Sequence, residues 1–182
     1  MRDKANVDVF LGATLGITTA DPLFHPSFVL AEMLGGSVTS HLMQTIRERD
    51  GLSYGVYARL GGFEDGADGC LKVWATFSPE RYEESLAKLR AEVREFFVNG
   101  LTEEALARKH EELAGSYLVS LSTSRGLARA LHRIGTEGRE LDYLYALPDI
   151  IRAVSLADIR QAADLVPLSR LSLAASGTFP KK

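Results

Sequence analysis

The sequence predicts one α+β domain over residues 1–182, a mostly antiparallel sheet with helices packed on one face. Three observations lead there. Stretches of strict apolar alternation stand near the start, in the middle and at the end of the chain, and runs with a helical apolar period lie between them. No low-complexity linker or internal repeat divides the chain. At 182 residues, 46% of them hydrophobic and 25% charged, the composition is that of one globular unit able to enclose a sizeable core.

The first alternating segment is Val7, Val9, Leu11, Ala13 and Leu15, a period of two that sets one apolar row against a core. After the turn-forming Asp21-Pro22 and His25-Pro26, the spacing of Phe28, Val29, Leu30, Met33 and Leu34 predicts a short helix stopped by Gly35-Gly36. A second helix is expected over 37–49, with Val38, Leu42, Thr45 and Ile46 on one side and Asp50-Gly51 as its stop. Tyr54, Val56, Ala58 and Leu60 then alternate, as do Leu71, Val73, Ala75 and Phe77, which together predict an antiparallel hairpin with a long connection through Gly61, Gly62 and Gly66.

Ser78-Pro79 opens a long helix whose apolar face is Tyr82, Leu86, Leu89, Val93 and Phe96, ended by Asn99-Gly100. Thr102 followed by Glu103 and Glu104 marks the next helix start, because the hydroxyl can cap free amides and the carboxylates suit the helix dipole. That helix runs on through Leu113 and Tyr117. Ser124 and Ser155 are further expected caps, Ser155 with Asp158 three positions on in an approximate capping box. Leu171, Leu173 and Ala175 form an alternating last strand.

Several function classes fall away on composition. The formal net charge is -3 with both signs interleaved, so there is no basic stripe of the kind that draws a phosphate backbone, and nucleic acid is not an expected partner. Cys70 is the single cysteine, which excludes an internal disulfide and a cysteine-rich zinc module, and it reads as a packed or idle thiol. No apolar segment has the length of a membrane span or the form of a secretory signal. The compartment is left open between cytoplasm and periplasm, since a parent protein would carry its own targeting.

The common catalytic arrangements fail as well. The histidines are His25, His41, His110 and His132, and their spacings do not build a metal site. His110-Glu111-Glu112-Leu113-Ala114 starts like a zinc-binding H-E-x-x-H helix but has Ala114 in place of the second histidine, so His110 reads as a solvated residue on a charged face. No H-x-x-E-H occurs, no serine sits in a nucleophile elbow, and the glycines do not form a phosphate-cradling loop.

One stretch is more specific. Leu34-Gly35-Gly36-Ser37-Val38-Thr39-Ser40-His41-Leu42, continued by Ile46-Arg47-Glu48, Gly51-Leu52-Ser53-Tyr54 and Val56, resembles the pattern L-G-G-x-x-S-S-x-L-x-x-x-I-R-E-x-x-G-L-x-Y-x-V of the pitrilysin, insulin-degrading enzyme and mitochondrial processing peptidase family. Weaker echoes at Gly100 to Leu106, Ser155 to Ile159 and before Gly177 extend the likeness over almost the whole chain. Val38 and His41 depart from the pattern's usual aromatic and arginine.

The resemblance implies a zinc-free half of a two-part metallopeptidase, not an enzyme on its own. It implies no cofactor in this chain, zinc in a partner half or subunit that bears the H-x-x-E-H motif, and a peptide substrate. It also implies that Arg47 and Tyr54, seven positions apart, face the substrate: Arg47 holding a backbone carbonyl with its fork of donors, Tyr54 donating to the oxyanion of the tetrahedral intermediate. A plainer account of the same residues is an arginine offsetting a helix dipole and a tyrosine packing at a strand start. Two other functions stand beside the first: an inactive structural or assembly subunit of the same fold, and an unrelated ligand-binding domain, which would need a closed apolar pocket.

Overall fold

A computed structural model describes residues 4–63 and 67–179. Four strands form one wholly antiparallel sheet in the order β2-β3-β1-β4: β1 Val7–Thr14, β2 Val56–Gly61, β3 Cys70–Phe77 and β4 Ser172–Ser176. The central register sets Phe10 opposite Trp74 and Ala174, and the hairpin register sets Val56 opposite Ala75. The expected hairpin and inward rows are therefore present. Val7, Val9 and Leu11 of β1, Val73, Ala75 and Phe77 of β3, and Val56 and Ala58 of β2 are all buried, as the period of two requires. Gly66 and Met1 to Asp3 lie outside the described residues.

Helix α1, Phe24–Gly35, lies on β2. It begins four residues earlier than the sequence suggests, because Pro26 falls in the first turn, where a missing amide proton leaves no helical bond unmade. Gly35 and Gly36 are not left-handed caps. Gly36 has φ −81°, and Gly35 is buried where a Cβ would run into the backbone nitrogen of Ala58, so the small residue permits close helix-to-strand approach.

Beyond β3, a 3₁₀ turn at Pro79–Arg81 leads into α2, Tyr82–Glu95, which ends in a π-helical turn at Phe96–Gly100. Its predicted face of Tyr82, Leu86, Leu89, Val93 and Phe96 is buried throughout. Four helices follow: α3 Glu103–Leu121, α4 Ser124–Thr136, α5 Tyr143–Ala153 and α6 Leu156–Asp164. Thr102 caps α3 through the Ala105 amide, and Ser155 with Asp158 forms a full capping box on α6. Ser124 is not a cap. Thr123, in extended conformation, accepts from the Gly126 amide, and Ser124 is already the first helical residue.

The expected last strand is present as β4 at one edge of the sheet, but all five of its residues, Leu173 and Ala175 among them, are exposed. His110 is only partly exposed, with a buried Nε2 that has no hydrogen-bond partner, and burial lowers its pKa; it is not a solvated histidine. Cys70, half-buried at the start of β3, lies 3.3 Å from the Gly61 carbonyl oxygen through its Sγ.

Candidate functional site

The segment between α1 and β2 carries both singled-out residues. Ser37 to Ser40 form a turn, and the helix expected over 37–49 begins at His41 and is π-helical from Met43 to Arg49. The wider winding is visible in the bond from the Asp50 amide to the Thr45 carbonyl, five residues back, and the Thr45 hydroxyl also donates to the His41 carbonyl at 2.9 Å. The Gly51 amide bonds to the Arg47 carbonyl, and Gly51, at φ +58°, reverses the chain in a conformation that a side chain would strain. The Leu52 amide then bonds back to Ile46 at 2.9 Å.

Tyr54 does not begin β2. It stands on a bend two residues ahead of the strand and is 89% exposed, so the parity that would have placed it in the inward row with Val56 does not extend to it. What fixes the bend is Ser53. Its buried hydroxyl lies 2.6 Å from the Gly55 carbonyl oxygen and 2.7 Å from that of Thr76 on β3.

Arg47, with a side chain 44% exposed, approaches a carboxylate at Glu48, 3.6 Å away. Arg47 and Tyr54 line one open cavity of about 460 Å³, together with Asn6, Ser78 and Arg81. The two residues therefore share a concave surface that carries donors. Arg81 and Asn6, which no motif marked, join it because β1 and the turn before α2 come alongside; neither had a signal in the sequence.

Behind the cavity, a charged cluster fastens the helical segment to α2. Glu92 accepts from Arg49 at 2.7 Å, Lys88 at 3.1 Å and His41 at 3.1 Å, and Arg49 also bridges Asp50. Burial alone would raise the Glu92 pKa, but the hydrogen bonds from Arg49 and Lys88 outweigh it and hold the carboxyl below the usual range. Hydrogen bonding to Arg49 likewise lowers Asp50. His41, the departure from the usual arginine, thus reaches an acidic partner.

No group of three or more His, Cys, Asp or Glu among the described residues is placed to hold a metal ion, so this donor set does not fit zinc. No helix among them is long and apolar enough to cross a membrane.

Comparison with known proteins agrees with this architecture. A family model described as the peptidase M16 inactive domain matches residues 2–113. A protein of Streptomyces coelicolor named as an uncharacterized zinc protease is 30% identical over the whole chain, which spans 39% of that relative's length. A Helicobacter pylori relative named as a non-peptidase homolog is 27% identical over 87% of the chain and 36% of its own length. Among solved structures, a peptidase M16 inactive domain from Pseudomonas fluorescens superposes with a TM-score of 0.81 at 22% identity, over 97% of this chain and 42% of that one.

The fold and the match define an inactive domain of a zinc protease family. The chain belongs to the M16 peptidases, as their inactive domain.

Proposed function

We propose that this domain completes the peptide-binding chamber of an M16 zinc protease and supplies two of the side chains that act on the substrate. The observation that carries the reading is the presence of Arg47 and Tyr54 on one open cavity, both partly or largely exposed. The zinc-bearing half, on the same polypeptide or a separate subunit, supplies the ion that activates water. Arg47 offers a planar fork of donors to a backbone carbonyl of the peptide and so fixes its register. The Tyr54 phenol donates a hydrogen bond to the oxygen that becomes negative as the carbonyl is attacked. The neighbouring β2 is an edge strand, and an extended peptide can add to such an edge through main-chain hydrogen bonds.

The test is the Tyr54→Phe variant in the enzyme assembled with its zinc-bearing half. The expected result is a fall in kcat of roughly 10²–10³-fold with KM little changed, the cost of removing one oxyanion donor. Unchanged turnover would reject the reading. A second reading, an assembly subunit without a part in catalysis, is favoured by the Helicobacter pylori relative's name. It predicts no proteolysis from the assembled wild-type protein, or proteolysis indifferent to Arg47 and Tyr54.

A further inference from the structure

Among the described residues two charged side chains are buried, Glu92 at 6% exposure and Lys109 at 4%, and both are attached to the segment that carries Arg47. Glu92, on α2, receives His41 at one end of the helical segment and Arg49 at the other, using one oxygen for each. Lys109, on α3, donates to the Ser37 hydroxyl at 2.9 Å and to Glu112 at 2.9 Å, and Glu112 in turn accepts from the Thr39 hydroxyl at 2.6 Å. The turn before the segment and both of its ends are thereby tied to two separate helices of the domain.

Buried charges are a poor way to add stability, because desolvation offsets much of the attraction, and their best-attested use is to select one geometry among competitors. The need for selection is local. A π-helix is rare and marginal, and Met43–Arg49 holds one for seven residues while presenting Arg47 away from the ion-pair cluster. The carboxylate that Arg47 approaches is Glu48, whereas Glu92 is bonded to His41 and Arg49, which flank Arg47 in the segment.

We infer that Glu92 and Lys109 are positioning residues, a two-point clamp that fixes Arg47, and through Gly51 also Tyr54, at the cavity they share. The inference rests on the proposed function and adds residues distant from substrate to it.

The test is a double-mutant cycle on kcat/KM in the enzyme assembled with its zinc-bearing half, pairing Glu92→Gln with Arg47→Lys. A clamp acting through Arg47 predicts a loss of roughly tenfold from Glu92→Gln in the native background and less than about twofold once Arg47 is already replaced. Glu92→Asp, which keeps the charge, recovers part of the loss. Equal losses in both backgrounds would show a merely structural residue and overturn the clamp. Where Glu92→Gln does not fold, Arg49→Gln, which takes one exposed donor from the same carboxylate, is read in the same cycle with the same two outcomes. Lys109→Met is expected to behave as Glu92→Gln does. If Arg47→Lys and Tyr54→Phe both leave activity unchanged, the function reading fails and the clamp with it; if they impair activity while Glu92→Gln does not, only the clamp fails.

Discussion

Ser53 and Thr76, 23 positions apart, are joined by a hydrogen bond of 2.7 Å from the Ser53 hydroxyl to the Thr76 carbonyl oxygen. The bond ties the bend that bears Tyr54 to β3. Ser53→Ala would remove the buried hydroxyl that bonds both the Gly55 and the Thr76 carbonyl oxygens, and unfolding by urea is expected to show a loss of about 1–2 kcal/mol. In the assembled enzyme the same variant is expected to lower kcat, since the Ser53 hydroxyl ties the bend that carries Tyr54 to β3.

Gly35 and Gly115 are expected to respond to alanine with opposite signs. A Cβ at Gly35 meets the backbone of Tyr57 and Ala58, so Gly35→Ala forces α1 off β2 and costs about 1–3 kcal/mol by overpacking. Gly115, inside α3, has nothing within 4 Å of its would-be Cβ, and Gly115→Ala gains roughly 0.5–1 kcal/mol from helix propensity. Thermal unfolding of the pair checks both signs at once.

Stability is expected to fall in mild acid. His25 Nε2 lies 2.8 Å from the Tyr143 hydroxyl, and burial, then the charge of Arg139, lowers its pKa from 6.5 to about 4. A histidine depressed in the folded state takes up its proton more readily when unfolded. Its contribution is therefore complete above pH 6.5 and is lost as pH falls toward 4. His110, also lowered by burial, adds to the same slope. His25→Gln is expected to flatten the dependence partly in urea unfolding at pH 7.5 and pH 5; an unaltered slope would exclude His25 as its source.

Glu92 governs a lower window. Its folded-state pKa lies below the ordinary 4.5, so its contribution is present above that pH and is lost as the solution is acidified through the folded value. Glu92→Gln should leave a shallower decline below pH 4.5 than the native chain shows.

Zinc should not bind this domain alone. With no group of three metal-ligating side chains among the described residues, dialysed protein is expected to hold substoichiometric zinc by atomic emission, and one tightly held ion per chain would contradict the assignment of the metal to the other half.

By itself the sequence determined the elements whose signal is periodic and local: the rows of β1, β2 and β3, the buried face of α2, and the caps at Thr102 and Ser155. It also marked Arg47 and Tyr54, through a motif and not through their chemistry. Only the tertiary structure decided that α1 starts at Phe24, that β4 is bare on both faces, that Thr123 and not Ser124 is a cap, and that His110 is partly enclosed. It alone also brought Arg81 and Asn6 to the cavity and joined His41 and Arg49 through Glu92. The division has one cause. Alternation and capping arise between residues a few positions apart, whereas burial of a polar group and the lining of a cavity depend on elements far away in sequence, as Glu92 is from Arg49.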